Sequence, residues 1–495
     1  MTHSEGGFQD IVEREKGLRR SLSARKLSMI AIGGAIGTGL FLGSGFAINL
    51  AGPGVLVSYA IGGLIALLLM GCLAEMTIAH PTSGSFGAYA EHYIGPLAGF
   101  LVRYSYWTCV VLAVGTEVTA VALYMNYWFP ALPGWLWIVA FSTLLILVNA
   151  VSVNVFGAVE YWFSLVKVIA IVAFILLAGY VVFSVTVAPP LSTADGGAAS
   201  VGFNNYTAHG GFLPRGIWGV WVAVIVAIFS YLSIEMIAVA AGEAAQPEIA
   251  VRRAFRSTLL RLILFYMLAL ALMLAIVPWT SAGTDQSPFV KVMQAVRIPA
   301  AAGVINFVIL VAALSAMNSQ LYITTRMMFS LSRAGYAPRG LGVINRRGVP
   351  LNALLLSTAG IAIATVLSVT SPGKAFILMM AISAFGAMFT WMMIFITHYF
   401  FRREHMRAGQ PPLRFRMVGF PAATLLGAGL MATILATTAF TESFRMTLIF
   451  GAPFLVCLSV VYRVWYRDRE SPGTAAAVGV NLPVNGGVTA SNGQH

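Results

Sequence analysis

Residues 29–54 read MIAIGGAIGTGLFLGSGFAINLAGPG, an apolar run long enough to cross a lipid bilayer. Six of its glycines crowd thirteen positions, from residue 33 to residue 45. Because each glycine costs a helix about 1 kcal/mol relative to alanine, such a run is expected either to pack very closely against a neighbour or to unwind. Unwinding at Gly37, Thr38 and Gly39 would free backbone N–H and C=O groups, which suit the carboxylate and ammonium of a zwitterion.

The rest of the chain predicts an integral membrane protein built from helices. Of the 495 residues, 59% are hydrophobic and 9% are charged, and the mean hydropathy is +0.84; roughly a quarter of a soluble domain is charged. This composition excludes a water-soluble globular enzyme. Apolar runs bounded by Pro, Gly or charge predict twelve spans, with ends uncertain by about four residues. They cover residues 28–50, 54–79, 98–128, 134–154, 160–186, 217–241, 256–279, 300–329, 351–370, 375–399, 418–440 and 445–465.

The net charge of +13 comes from basic residues whose positions along the chain predict the membrane topology. With the N-terminus inside, 24 of the 30 Lys and Arg residues flank the inner side and five flank the outer side. Because basic residues resist translocation, both termini are predicted to be cytoplasmic, in a plasma membrane such as a bacterial inner membrane. Lipid headgroups are sufficient partners for this charge. No nucleic-acid partner is expected, since the basic residues lie in short segments between apolar runs.

The ends of the chain and the cysteines predict little chemistry. Residues 1–27 are polar and lack the apolar core of a signal peptide, so a cytoplasmic segment is expected. Residues 467–495 are largely small and polar, and are expected to form a disordered cytoplasmic tail. The three cysteines lie in apolar runs without a CxxC pair. No disulfide, metal site or cofactor is therefore expected.

Three ionisable side chains lie within predicted spans, where they usually face an interior or a pathway. Glu117, near the middle of span three, favours its protonated form there and either lines a pocket, carries a proton or simply bonds a neighbour. Glu235, toward the inner side of span six, is either a gate or a structural partner of a neighbouring helix. Lys167 lies ~10 Å into span five, so it either binds in the interior or snorkels to the interface.

Successive segments of the chain resemble the signatures of one transporter family. They are AIGGAIGTGLFLGSG, AGPG, LAEM, GSFGAYAEHYIGPLAGF, VNVFGAVEYWFSLVKVIAI, AAGEAAQPE and RRGVPLNA. From about residue 20 to residue 465 the sequence is similar to the amino acid permeases of the amino acid/polyamine/organocation superfamily, in particular the bacterial branch with aromatic amino acid, proline and GABA permeases. The resemblance implies a transport core of two inverted five-helix repeats, residues 28–400, with spans one and six broken around a midplane substrate site. A cytoplasmic loop, residues 401–417, and two further helices, residues 418–466, would follow.

The resemblance also implies which residues bind substrate. The segment Ile36–Gly39 and the span-six residues Ser230, Tyr231 and Ser233 would form the site, with Glu117 as a pocket residue. Phe229 matches an aromatic residue that lies beside the substrate in the family and gates its passage. The alternative is that Phe229 only packs against neighbouring helices, as most aromatic residues on membrane helices do. Family members often have two glycines where this chain has Leu232 and Ser233.

Energy coupling is expected to involve Lys167. Sodium-coupled relatives have a cation site between spans one, five and eight, and the lysine ammonium would occupy it, with a proton replacing sodium. Ser315, Asn318 and Ser319 of span eight would form the other wall, unless they make only ordinary interhelical hydrogen bonds. His398 is expected at the interface without a chemical role.

These observations favour a proton-coupled importer of amino acids, with neutral substrates, that works by alternating access. An exchanger or facilitator of amino acids or polyamines without proton coupling is the alternative. An amino acid receptor is disfavoured because the inner loops are short. An enzyme or an ATP-driven pump is disfavoured because the chain has no HExxH motif and no Walker A loop.

Overall fold

The computed structural model describes residues 5–14, 29, 34–151, 153–184, 191–192, 198–199, 201–244, 247–281, 286–296, 298, 300–371, 373–409 and 411–466. The described chain is helical apart from two strands of two residues each, β1 (Leu191–Ser192) and β2 (Ala198–Ala199), which pair antiparallel. Sequence-based expectations for residues 15–28 and for the tail from residue 467 lie outside the described residues.

The α-helices follow one another with short connections. In chain order they are α1 (Glu5–Arg14), α2 (Ser44–Ala51), α3 (Val55–Ala79), α4 (Ser85–Tyr93), α5 (Pro96–Asn126), α6 (Gly134–Val151), α7 (Val153–Phe183), α8 (Gly216–Tyr231), α9 (Met236–Ala240), α10 (Pro247–Ile276), α11 (Pro288–Val296), α12 (Ala301–Arg333), α13 (Leu351–Leu356), α14 (Ala359–Thr370), α15 (Ala375–Arg407), α16 (Ala422–Thr437) and α17 (Arg445–Trp465). A π-helix, Gly39–Gly43, precedes α2. Short 3₁₀ turns are Gly52–Gly54, Phe203–Tyr206, Ala241–Glu243, Trp279–Ser281, Arg339–Gly342, Thr438–Phe440 and Glu442–Phe444.

Within the described chain, ten helical stretches are long and apolar enough to cross a membrane. The first of them, Gly39–Ala79, turns back at the 3₁₀ turn Gly52–Gly54, where Gly52 has φ +61°. A shorter apolar segment, Ile263–Ile276, lies at the end of α10. The prediction of a helical membrane protein agrees with this architecture.

The helices form an inner group and a peripheral group. Most residues of α5, α8, α12 and α15 are buried, whereas α6, α7, α14, α16 and α17 expose large apolar side chains such as Leu176 and Val460. Bare apolar surface of this extent is what the hydrocarbon of a bilayer would cover. The outer helices thus expose apolar side chains on one side, while buried polar residues such as Glu160 and Lys167 of α7 face the inner helices.

Three predicted span limits differ from the helix limits by more than about four residues. Span seven was expected to begin at residue 256, but α10 begins at Pro247. Span five was expected to begin at Glu160, but α7 begins at Val153, because Glu160 is buried and bonded rather than exposed at a helix end. Span ten was expected to end at residue 399, but α15 continues to Arg407, so part of the expected loop is helical.

Candidate functional site

The first span is interrupted at Ile36 and Gly37, which lie between Ala35, the last helical residue before the bend, and the turn that enters the π-helix. The glycines here also permit close packing. A Cβ added to Gly39 would lie 2.7 Å from the Ser230 Cα atom, and one added to Gly37 would lie 2.7 Å from a Glu117 carboxylate oxygen. The segment therefore combines the two expected properties, an interrupted helix and close contact with its neighbours.

The span-six helix is interrupted directly opposite. Helix α8 ends at Tyr231, residues 232–235 form a turn, and α9 resumes at Met236. Ser233 has φ +80°, a left-handed conformation that glycine adopts more easily than residues with a Cβ. The chain thus keeps a glycine-like backbone at a position where its sequence departs from the family pattern.

One tyrosine of α10 joins the two interruptions. The Tyr266 hydroxyl lies 2.8 Å from the Ala35 carbonyl oxygen and 3.0 Å from that of Ser230. A hydroxyl has one hydrogen, so the two carbonyls share a single donor. Tyr266 is fully buried and packs against Tyr59 and Tyr231.

Glu117 of α5 contacts the backbone of the first interruption. The Thr38 amide donates to Glu117 Oε2 over 3.2 Å, and Glu117 is 2% exposed. The carboxyl group therefore accepts from a backbone N–H at the interruption, which is the kind of group that the carboxylate of a zwitterionic ligand would use.

Lys167 of α7 meets the same backbone segment from another side. Its Nζ donates to the Ile36 carbonyl oxygen over 2.9 Å, and the side chain is fully buried. It points into the interior instead of snorkelling to the interface. Ser315 and Asn318 of α12, expected to face this lysine, donate to Glu160, which lies on the lysine's own helix.

Glu235 lies in the span-six interruption and is bound by neighbours on two other helices. Tyr106 Oη donates to Glu235 Oε1 over 2.7 Å, and Trp391 Nε1 donates to Oε2 over 3.2 Å. The Ser233 amide also donates to Oε1, over 3.1 Å. These contacts support the structural alternative for Glu235, because they fix the turn between α8 and α9 to α5 and α15.

The remaining predicted residues are all buried. The Ser230 hydroxyl lies 2.8 Å from Tyr59 Oη, and Phe229 is buried beside it on α8. Tyr231 packs with Tyr59 and Tyr266, so its ring belongs to a tyrosine cluster between α3, α8 and α10. Ser319 is buried with an unpartnered hydroxyl.

His398 was expected at the interface, and this prediction was wrong. The ring is fully buried, with Nε2 3.1 Å from Glu75 Oε2 and Nδ1 3.0 Å from Thr424 Oγ1. Glu75 also accepts from Arg402 over 2.6 Å. This cluster holds α3, α15 and α16 together.

The face of the bundle that carries α1 and α4 has further ion pairs. Glu91 accepts from both Arg14 and the fully buried Arg103. Burial alone would raise the pKa of Glu91, but the two guanidinium groups lower it below its usual value. Arg326 of α12 pairs with Glu243 over 2.9 Å. We call this the basic face. Its ion pairs connect α4 to α1 and α5, and α12 to the turn Ala241–Glu243.

A cavity of about 230 Å³ lies at the opposite end of the bundle, where α5 ends and α12 begins. Its lining is mainly uncharged and polar, and one residue of the π-helix takes part. The lining residues are Leu42, Leu123, Tyr124, Asn126, Tyr127, Gln286, Ser287 and Asn306.

Sequence reasoning missed Glu160 and Tyr266 as parts of the site. Glu160 was used only as a boundary marker, although a carboxylate followed seven residues later by a lysine places two charges on one helix face. Tyr266 carries no comparable signal, because one tyrosine in an apolar run is ordinary. No group of three or more His, Cys, Asp or Glu residues suited to a metal ion occurs in the described part of the chain.

Comparisons with known proteins agree with this architecture. A sequence model of the amino acid permease family matches residues 26–471. The gamma-aminobutyric acid permease of Bacillus subtilis is 38% identical over 464 residues, covering 94% of this chain and 97% of its own. The aromatic amino acid transport protein AroP of Escherichia coli is 36% identical over 445 residues, covering 90% and 95%. The crystal structure of a manganese transporter from Eremococcus coleocola shares the fold, with a TM-score of 0.53 at 13% identity over 93% of this chain and 96% of that one.

Proposed function

This chain belongs to the amino acid permease family, and on that premise we propose that it is a proton-coupled secondary transporter that imports neutral amino acids. Twelve spans would form it, ten of them in two inverted repeats, with the Gly39–Ala79 stretch supplying two and α10 supplying one. It would lie in the plasma membrane as a transporter, with both termini in the cytoplasm.

One observation supports a zwitterionic substrate most strongly. The interrupted backbone presents an amide at Thr38 and carbonyls at Ala35, Ile36 and Ser230, and each is now held by a side chain from another helix. A buried backbone group needs a partner at all times, so a ligand that binds here must replace a side chain as the partner of at least one of these groups. The α-carboxylate and α-ammonium of an amino acid carry the donors and acceptors required.

The surroundings of the site favour neutral side chains. The described side chains that touch the two interruptions include one ammonium, Lys167, and the carboxyls of Glu117 and Glu235. Glu235 is already bound by two aromatic donors, and Glu117 accepts from the Thr38 amide, close in the chain to the Ile36 carbonyl that Lys167 contacts. Neither carboxyl is then free to pair with a second cation on the substrate.

Lys167 is the proposed coupling residue. Its ammonium contacts the carbonyl of Ile36, at the point where the first span is interrupted, so its charge bears directly on that segment. When Nζ gives its proton to water on the inner side, the N–H bond breaks and nitrogen keeps the electron pair. The neutral amine binds a carbonyl more weakly than an ammonium does, which frees the segment to rearrange.

Ion pairs and the cavity support an arrangement open to the outside. The basic face is closed by the contacts of Glu91, Glu243 and Glu75, whereas the cavity lies at the opposite end. By the positive-inside rule the basic face is cytoplasmic. Substrate would enter at the cavity and leave after the ion pairs separate.

Uptake by purified protein in proteoliposomes tests this function. One labelled neutral amino acid is offered with an inward proton gradient, and unlabelled aromatic, aliphatic, cationic and anionic amino acids and GABA compete in turn. We expect accumulation that depends on the proton gradient, is unchanged when choline replaces sodium, and is inhibited mainly by neutral competitors. A sodium requirement, or downhill uptake indifferent to the gradient, would contradict the proposal and favour a sodium-coupled or uncoupled carrier.

Glu117→Gln distinguishes the two substrate classes. If Glu117 is uncharged pocket lining, the variant keeps neutral amino acid binding and changes only the pH dependence of uptake. Selective loss of lysine and arginine recognition would instead show that Glu117 pairs with a cationic substrate. Gly39→Val provides the matching backbone test: its side chain would collide with α8, and substrate binding should be lost.

A further inference from the structure

Glu160 is a buried carboxyl group that the transport mechanism above does not use. It lies seven residues into α7, is fully buried, and faces α12. A carboxyl group in such a place needs donors or a cation, because removing an unpaired charge from water is costly. The structure supplies donors directly and places a lysine two helical turns away on the same helix.

The donors come mainly from α12. Ser315 Oγ donates to Glu160 Oε1, and Asn318 Nδ2 donates to Oε2 over 2.9 Å. The Asn318 orientation is set by Asn149, whose Nδ2 donates to Asn318 Oδ1 over 2.8 Å, so the amide nitrogen of Asn318 is the atom that faces Glu160. Ser164 Oγ lies 3.3 Å from Oε1 and shares its hydrogen with the Met29 carbonyl.

The Asn318 amide nitrogen can only donate, so Glu160 Oε2 acts as an acceptor. The hydroxyls of Ser315 and Ser164 can donate to Oε1, so an ionised carboxylate can accept from all three groups at once. The arrangement thus accommodates the anion, and it fixes the carboxyl group between α7 and α12.

The cation is Lys167. Glu160 and Lys167 are seven residues apart on one helix, so they lie on one face about 10 Å apart along the axis. Side chains of a helix point toward its N-terminus, which directs the long lysine chain back toward Glu160. The second carboxyl, Glu117, accepts from the Thr38 amide, two residues along the chain from the Ile36 carbonyl that Lys167 contacts.

The other elements packed against this part of α7 contribute no further described charge. Helix α12 presents Ser315, Asn318 and Ser319, α6 presents Asn149, and α10 presents the hydroxyl of Tyr266 near Ala35. Among the described side chains, the charge balance around the lysine is therefore set by Glu160 and Glu117.

We propose that Glu160 is the fixed counter-ion of Lys167, a positioning residue that keeps the ammonium charged and seated on the Ile36 carbonyl until the inner side opens. The assignment rests on the proposed proton-coupled function. Glu117 faces the substrate backbone and changes partner when substrate binds, whereas Glu160 stays bonded to α12. Glu160 then sets the pH at which Lys167 loses its proton, and Glu117 links that loss to substrate binding.

The pH dependence of uptake tests this assignment in the full-length protein. Without the Glu160 charge, the buried ammonium loses its proton more readily, so uptake should fall at a lower pH. We expect Glu160→Gln to move the half-maximal pH at least one unit toward acid, a tenfold higher proton concentration, while the Kd of substrate changes less than about twofold. Glu160→Asp should restore most of the wild-type pH profile.

A matched control is Glu235→Gln, which removes another fully buried carboxyl whose hydrogen bonds come from Tyr106, Trp391 and the Ser233 amide. Whatever uptake it retains, its half-maximal pH should equal that of the wild type. If Glu160→Gln does not fold, Asn318→Ala removes one of the two α12 donors instead, and the same acid shift, smaller in size, is expected.

The possible failures are distinguishable. A folded Glu160→Gln protein, or Asn318→Ala in its place, with the wild-type half-maximal pH overturns the counter-ion assignment and leaves the transport function standing. A wild-type protein whose uptake ignores the proton gradient overturns the proposed function, and the counter-ion assignment with it.

Discussion

A single backbone angle distinguishes Ser233 from the residues around it. At φ +80° a side chain costs about 1–2 kcal/mol that glycine avoids, and the Ser233 hydroxyl is buried without a partner. Ser233→Gly should therefore keep uptake and raise the thermal unfolding midpoint by a few degrees, because relief of strain exceeds the entropy that glycine loses. Ser233→Val, which adds a β-branched side chain at the same angle, should lower the midpoint. A fall in the midpoint of Ser233→Gly would contradict the strain argument.

His80 supplies a residue-scale prediction about pH. Burial, and then the nearby charges of His92 and His405, lower its pKa to about 4, and its Nε2 lies 2.7 Å from the hydroxyl of Tyr93. The ring is therefore neutral in the folded protein between pH 5 and 8, while the unfolded chain binds a proton below about pH 6.5. Lowering the pH from about 6.5 toward 4 therefore reduces the free energy of unfolding, because the unfolded chain takes up a proton at this position before the folded protein does.

His80→Gln should leave the pH profile of uptake unchanged between pH 5 and 8 and reduce the loss of thermal stability between pH 6.5 and pH 4. Uptake at each pH and the unfolding midpoint at each pH measure the two effects. A shifted uptake profile would show that His80 takes part in proton coupling.

Among single residues, Lys167 and Glu117 could be selected from the sequence because an ionisable group within a span is rare and expensive. The contact of Lys167 with a span-one carbonyl follows from the expected cation site. The bond from the Thr38 amide to Glu117 could not be predicted, since it comes from a backbone conformation that no side-chain pattern records. Glu160 and Tyr266 were missed, the first because it was taken as the end of a span and the second because a tyrosine in an apolar run is ordinary.

At the scale of the element, α1 is a feature that a polar N-terminal stretch did not suggest. Phe8 and Ile11 are buried, and Phe8 packs against the rings of His80 and His92. Arg14 holds Glu91 on α4, and Arg333 of α12 donates to the Arg14 carbonyl oxygen over 2.9 Å. The helix is thus attached to the basic face by one apolar cluster and one charged cluster.

Phe8→Ala should loosen α1 specifically. Removing a buried phenylalanine costs about 3–5 kcal/mol, more than a short surface helix is expected to retain. Amide hydrogen exchange of residues 5–14 should accelerate at least tenfold, and exchange in Ser85–Tyr93 should rise with it. Asp10→Ala, an exposed position on the same helix, is the control and should leave exchange within about twofold. Equal exchange in Phe8→Ala and wild type would mean that α1 is held by its ion pairs alone.

Boundaries of the elements were predicted well for α17, but poorly where a helix continues into polar residues, as at the end of α15, and where a polar residue is buried. Glu160 looked like the start of a span because an isolated carboxylate usually marks water. The donors that make its burial possible lie 155 and 158 residues later in the chain, on α12. Only the folded structure brings them together.

At the scale of the whole molecule, buried polar groups are arranged at two levels. One level consists of the interruptions of the first and sixth spans together with Glu117, Lys167 and Tyr266. Ion pairs of the basic face, such as Arg326 with Glu243, form the other. Opening that face separates several such pairs, so we expect substrate and proton to drive the step together.

Gradient-driven accumulation by Lys167→Ala shows whether this lysine couples proton to substrate movement. It is measured beside exchange of labelled for unlabelled substrate across the same proteoliposome membrane. Wild type should concentrate substrate on an inward proton gradient. Lys167→Ala should still exchange substrate yet reach no more than the outside concentration, and Lys167→Arg, which keeps the charge but cannot release its proton, should also fail to accumulate. Accumulation by Lys167→Ala on a proton gradient alone would contradict the account.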